Sequence, residues 1–132
     1  MKLINNKRIC RTFHWDAAHN LVLPYDSKCV NIHGHTYLVA VTIEGQLDKN
    51  GMVLDFSLLK EWVETASFDH KYLNENIKSF KSKNPTAENL VEYLYDSLNN
   101  FDVRENLSIP RDIKIVKIRV WETPTSFAEV EW

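Results

Sequence analysis

The sequence predicts a single α+β domain built on an antiparallel sheet. Three observations lead there: apolar residues alternate with a period of two near both ends of the chain, two helical runs lie between them, and no internal repeat, linker or low-complexity segment interrupts the 132 residues. The expected order is strand, strand, helix, helix, strand, strand, in one domain over residues 1–132. A chain of this length can bury a core without disulfide or metal staples.

The first strand is expected over RICRTFHWDAAH, Arg8 to His19, where Phe13, Trp15, Ala17 and His19 share one face. NLVLPYDSKCVNI follows with Pro24 and small polar residues, the composition of a loop, and it delivers Cys29. A second strand is expected from His35 to Gln46, with His35, Tyr37, Val39, Val41 and Ile43 on one face. Gly45 and the DKNG segment then supply turn chemistry. The first helix follows, with Leu58, Leu59, Trp62, Val63 and Ala66 at helical spacing. Thr86 is placed to cap a second helix carrying Leu90, Val91, Leu94, Tyr95 and Leu98, and Glu88 stands in its first turn, where a negative charge is favourable. After a turn-rich stretch ending at Pro110, Ile113 to Trp121 reads as a strand, and a Pro124 turn separates it from a closing strand over Phe127 to Trp132. Two helices on one side leave the other sheet face in need of cover, either by self-association or by a barrel built from several chains.

Sixteen Lys plus Arg against eighteen Asp plus Glu give a formal charge of −2, with no run of like charge that would form a footprint for nucleic acid or a membrane surface. MKLINNKRIC has no apolar stretch after its basic residues, and the chain holds no apolar run of about 18 residues, so a soluble, cytoplasmic protein is expected. Its two cysteines, Cys10 and Cys29, are expected to be free thiols in such a compartment.

The stretch KCVNIHGHTY places a cysteine and two histidines within the seven residues from Cys29 to His35. His33 and His35 are two apart, so in an extended segment both imidazoles leave the same face, and Gly34 between them removes a side chain that would crowd the backbone. That arrangement suits two ligands on one ion, with His19 at the end of the neighbouring strand as a third; it also suits an ordinary strand-end turn beside a packed histidine. Cys29 is free to be a fourth ligand, a thiolate base beside the ion, or an inert loop thiol. Asp69 and His70 could form a charge-oriented acid or base, or simply end a helix. Glu122 continues the apolar face of Val116, Ile118 and Val120 and needs a partner, which a guanidinium or the amino-pyrimidinone edge of a pterin or guanine would provide; it also suits a strand-end surface glutamate or an internal salt bridge. His14 lies on the opposite strand face from His19 and reads as structural.

Taken together, AAH (17–19), CVNIHGH (29–35), GMVLDF (51–56), DHKYLN (69–74), PTAEN (85–89) and WET (121–123) resemble the 6-pyruvoyltetrahydropterin synthase superfamily in order and spacing over nearly the whole chain. The Cys-x-x-x-His-Gly-His spacing is similar to the 6-carboxytetrahydropterin synthases of queuosine biosynthesis. The animal-type pyruvoyl enzymes have a longer gap, and a folate-pathway branch carries glutamate in place of the cysteine. Phe68 departs from the leucine frequent before Asp-His, and the tail TSFAEVEW matches no motif.

The resemblance implies a tunnelling fold, or T-fold, whose barrel closes by homo-oligomerisation as a hexamer or another trimer-based assembly, with active sites at subunit interfaces. It implies Zn2+ held by His19, His33 and His35, proton transfer by Cys29, Asp69 and His70, and a pterin ring anchored by Glu122 with help from Thr123. The implied substrate is 7,8-dihydroneopterin triphosphate, and the implied products are 6-carboxytetrahydropterin, acetaldehyde and triphosphate. The nearest rival stops at 6-pyruvoyltetrahydropterin; a rival of another class is a non-catalytic zinc- or pterin-binding module. Lys28, Lys71 and Arg119 are available to the triphosphate, without a motif to select among them.

Overall fold

Two thirteen-residue strands, β1 (Lys7–His19) and β2 (His33–Gly45), pair antiparallel along their whole length, from Lys7↔Gly45 to His19↔His33. This computed structural model describes residues 5–132; the start of the chain weighed above for a leader includes residues 1–4, which lie outside the described residues. Both strands alternate as their sequences predict. Phe13, Trp15, Ala17 and His19, with Tyr37, Val39, Val41 and Ile43, are buried on one face, while Thr12, His14, Asp16 and Thr36 are exposed on the other.

Helix α1 (Phe56–Glu64) begins where the Asp55 carboxylate accepts the Ser57 N–H at 2.7 Å. The strand β3 (Lys71–Tyr72) runs straight into α2 (Leu73–Asn76). Helix α3 (Ala87–Leu98) is capped as expected, with the Thr86 hydroxyl accepting the Asn89 N–H at 3.2 Å, and α4 (Phe101–Asn106) follows. Strands β4 (Lys114–Thr123) and β5 (Ser126–Glu131) complete a five-stranded sheet in the order β3-β1-β2-β4-β5.

The expected element order therefore needs correction: β3, α2 and α4 are additional, and β3 pairs parallel to β1, so the sheet is not wholly antiparallel. Two residues are too few to show periodicity; β3 exists because β1 offers it a free edge. The β2 strand also starts two residues earlier than expected, at His33, which puts both histidines of HGH in the ladder. The tail without a motif is the edge strand β5, and Trp132 beyond it stacks on Tyr95 of α3 with ring centroids 3.8 Å apart.

The inner face of the sheet packs on Leu59, Trp62 and Val63 of α1 and on Leu90, Val91, Leu94 and Leu98 of α3, all fully buried. Trp62 Nε1 donates to the Leu98 carbonyl at 2.9 Å, joining the ends of the two helices. Truncating any one of these leucines to alanine costs about 2–5 kcal/mol at a site of this kind. The core thus holds the sheet rigid, and the rigid sheet sets the ends of β1, β2 and β4 beside one another. No helix among the described residues is long and apolar enough to cross a membrane.

Candidate metal centre

Strand register alone brings three imidazoles together. His19 lies directly across from His33, and His35 is two residues further along the same face of β2, opposite the small Ala17. All three point to the buried side, where His19 is only 1% exposed. Glu122 follows Trp121, the partner of Leu38, and reaches the same place from β4. One ligand atom from each of His19, His33, His35 and Glu122 lies within 4.8 Å of every other, the one such three-histidine group among the described residues.

The protonation pattern follows from hydrogen bonds to groups that can only accept. His19 Nδ1 donates to the Pro85 carbonyl at 2.8 Å, and His33 Nδ1 donates to the Asn31 carbonyl at 2.7 Å. Each ring therefore carries its hydrogen on Nδ1 and leaves a lone pair on Nε2. Those two Nε2 atoms face each other at 3.1 Å, with no hydrogen between them unless one ring is charged. Burial lowers the pKa of His19 below the ordinary imidazole value, against the opposing pull of the Pro85 carbonyl and Glu122, so the neutral form is favoured. His35 is lowered in the same way, by burial first. Its Nε2 sits 3.0 Å from Glu122 Oε1 but is not aligned for a hydrogen bond, and it is buried without a partner.

Facing lone pairs and an orphaned buried nitrogen are what a cation would satisfy. Nitrogen ligands about 2.0–2.1 Å from a tetrahedral zinc stand about 3.3 Å apart, close to the separation of the His19 and His33 Nε2 atoms. The donor set fits such an ion, and the two carbonyls play the part of the acceptors that fix the ligand tautomer in metal sites.

A cleft of about 700 Å³ runs over the exposed sheet face beside His14, Thr36, Leu38 and Trp121, and reaches the cluster at His35 and Glu122, with Thr123 on its wall. Gly34 does not play the role expected of it: a Cβ there would meet only the Ala17 carbonyl at 3.6 Å, an ordinary contact, and what the glycine leaves open is the cleft. Thr123 stands at the β4–β5 turn with its hydroxyl 3.3 Å from that of Thr125.

Cys29 lies in a single 3-10 turn, Lys28–Val30, capped by the Ser27 hydroxyl, which accepts the Cys29 N–H at 3.2 Å. Its thiol is free and partly buried, and Cys10 is free and exposed. The Cys29 carbonyl accepts the Leu21 N–H at 2.9 Å, which ties the turn to the chain leaving β1.

Asp69 and His70 are built as a pair against Asp16 of β1. Asp69 Oδ1 accepts the Asp16 N–H at 2.8 Å, and its other oxygen is 3.0 Å from His70 Nδ1. The Asp16 N–H, with lesser help from His70, holds the Asp69 carboxyl below the usual carboxylate range, so it stays ionised at neutral pH. The His70 side chain is 81% exposed, and no hydrogen bond among the described residues links it to the imidazole cluster. Its backbone is left-handed, φ 59, pinned by donation of its N–H to the Asp16 carbonyl at 2.6 Å. A histidine in that region is uncommon, and asparagine occupies it more easily. The His70→Asn chain should therefore be as stable as the parent to within about 1 kcal/mol, or more stable. Denaturant unfolding of the two chains checks it.

Pro85 and Asn31, whose carbonyls take the imidazole hydrogens, are the site residues that sequence reasoning missed. Carbonyl acceptors leave no sequence signal, although Pro85 itself opens the PTAEN motif.

The family model for 6-pyruvoyl tetrahydropterin synthase matches residues 8–132. A Haemophilus influenzae protein named 6-carboxy-5,6,7,8-tetrahydropterin synthase is 34% identical, over 94% of this chain and 98% of its own length. A Rickettsia conorii protein of the same name is 29% identical over 91% of this chain and 96% of its own length. Among solved structures, 6-pyruvoyl tetrahydropterin synthase from Caenorhabditis elegans superposes with a TM-score of 0.81 at 27% identity, covering 100% of this chain and 99% of that one.

Proposed function

The chain belongs to the 6-pyruvoyl tetrahydropterin synthase family, and from that premise we propose that it is a zinc-dependent 6-carboxy-5,6,7,8-tetrahydropterin synthase. It would act in the cytoplasm, in queuosine biosynthesis, converting 7,8-dihydroneopterin triphosphate and water to 6-carboxytetrahydropterin, acetaldehyde and triphosphate. The observation that carries this reading is the convergence of three imidazoles, whose Nε2 atoms face one another or stand without a partner, beside Glu122, which lines a cleft together with His35 and Thr123.

His19, His33 and His35 would hold the zinc, which when bound supplies Lewis-acid polarisation of the substrate's side-chain hydroxyls. Glu122 accepts two parallel hydrogen bonds from the amino-pyrimidinone edge of the ring, and Thr123 adds a hydroxyl or backbone contact beside it. Cys29, as thiolate, takes a proton from the substrate side chain. Asp69 accepts from His70 Nδ1, which turns the free Nε2 outward as the proton relay. With His70 this exposed, its site lies on a neighbouring copy, so the working enzyme is a homo-oligomer whose uncovered sheet face closes into a barrel.

Incubation of the zinc-loaded chain with dihydroneopterin triphosphate tests the reading through its products. The carboxylated pterin and acetaldehyde in equal amounts are expected, and Cys29→Ala should abolish both. The pyruvoyl product without acetaldehyde would assign the sister reaction. No conversion by a folded, zinc-loaded chain would leave a non-catalytic binding module.

A further inference from the structure

Beyond His19 the chain leaves the β1–β2 ladder. Two asparagine side chains take its place. Asn74 Oδ1 accepts the Asn20 N–H at 2.9 Å while its Nδ2 donates to the Asn20 carbonyl at 2.8 Å. Asn84 does the same for Val22, at 2.8 and 3.0 Å. The orientation of both carboxamides is forced, since a backbone N–H can only donate and a carbonyl can only accept. Residues two apart in an extended segment turn their backbone groups to the same side, so the two carboxamides act as a strand made of side chains. Leu21, between them, turns its N–H to the other side, and there it meets the Cys29 carbonyl at 2.9 Å.

The block that supplies Asn84 also touches the imidazole cluster. Asn84 is followed by Pro85, whose carbonyl takes the His19 Nδ1 hydrogen. The Asn84 carbonyl is held in turn by Asn89 Nδ2 at 2.8 Å, and the Asn89 N–H by Thr86. Tyr72 closes the other end, donating its hydroxyl to Asn20 Oδ1 at 2.6 Å. The start of α3 thus grips His19 directly and the Cys29 turn through Val22 and Leu21.

We propose that Asn74 and Asn84 are positioning residues, whose carboxamides pair with Asn20 and Val22 and so fix where the Cys29 turn stands relative to the three-histidine cluster. Both act through the backbone of residues 20–22. The role assigned to Cys29 rests on the proposed function, but the clamp has a readout of its own in the reactivity of the thiol.

The test uses the full-length zinc-loaded chain in a Cys10→Ser background, so that Cys29 is the one thiol left. Iodoacetamide alkylation, kcat and KM, and thermal melting are compared for the parent, Asn74→Ala, Asn84→Ala and Asn84→Asp. Freed from the clamp, the turn opens, and alkylation of Asn84→Ala should rise about fivefold or more. Its kcat should fall about 10- to 100-fold with KM within about twofold, as for groups that orient a reacting group without touching the substrate. Asn74→Ala should move the same way. Asn84→Asp keeps the acceptor for Val22 N–H and should fall between. A parent-like alkylation rate or a parent-like kcat in a folded Asn84→Ala chain overturns the proposal, and Asn84→Asp decides by the same criteria if Asn84→Ala does not fold. If the parent itself does not turn the pterin over, the functional reading fails, and the alkylation comparison still decides the clamp.

Discussion

Two inactive chains should restore activity when they are assembled together. Cys29→Ala and His70→Ala, each expressed alone, are expected to turn over dihydroneopterin triphosphate at about 1% of the parent rate or less. Co-expressed in equal amounts, they should recover about a quarter of the parent activity, because a site that takes Cys29 from one chain and His70 from another finds both intact in one random pairing of four. The expectation starts from exposure: the His70 side chain is 81% exposed and no hydrogen bond among the described residues links it to the cluster, although β3 pairs with the end of β1 that carries His19. A co-expressed sample no more active than its components would place both residues in one chain's site and contradict the interface reading.

Substitution of His35 and of Glu122 should separate holding the metal from holding the substrate. Glu122 Oε1 is 3.0 Å from His35 Nε2 and 4.0 Å from His19 Nε2, near enough to be a fourth ligand as well as a ring anchor. Catalytic zinc sites commonly use three protein ligands and keep the fourth position open, which favours the anchor. In Glu122→Gln, the ring loses a charged acceptor and meets an amide donor instead. A loss of about 3 kcal/mol, roughly a hundredfold in kcat/KM, is expected with zinc content unchanged. His35→Ala should lose zinc and turnover together. Metal content by mass spectrometry beside kinetics reads both; zinc lost from Glu122→Gln would make the carboxylate a ligand.

The long strands and the two main helices were legible because each carries enough residues to show its period. Phe13 to His19 and His35 to Ile43 alternate without a break, and Thr86 announces its helix with a cap. The convergence of His19, His33 and His35 needed only the guess that β1 and β2 pair, and the register of that pairing then put His19 against His33. Helix α4 was missed although its signals are present: Asn100 caps it by accepting the Val103 N–H at 3.2 Å, with Asp102 in its first turn and Arg104 in its last. Its six residues turn too few times to display an apolar face. The asparagine clamps were hidden for a different reason. They are side chains standing in for a strand, and nothing in a sequence says which backbone a carboxamide will meet. Cys29, Asp69 and His70 stand out by residue type and motif, whereas whether they act within one copy or between two depends on an assembly that one chain does not spell out.

A metal ion held by three histidines and used in the reaction on the pterin side chain is the centre of the proposed function. Its most direct test is zinc removal and return on the purified chain, with turnover of dihydroneopterin triphosphate followed throughout. The expected result is about one zinc per chain, loss of both pterin product and acetaldehyde on chelation, and recovery that rises with added zinc and levels off near one equivalent. Full turnover by a chain stripped of metal would contradict it.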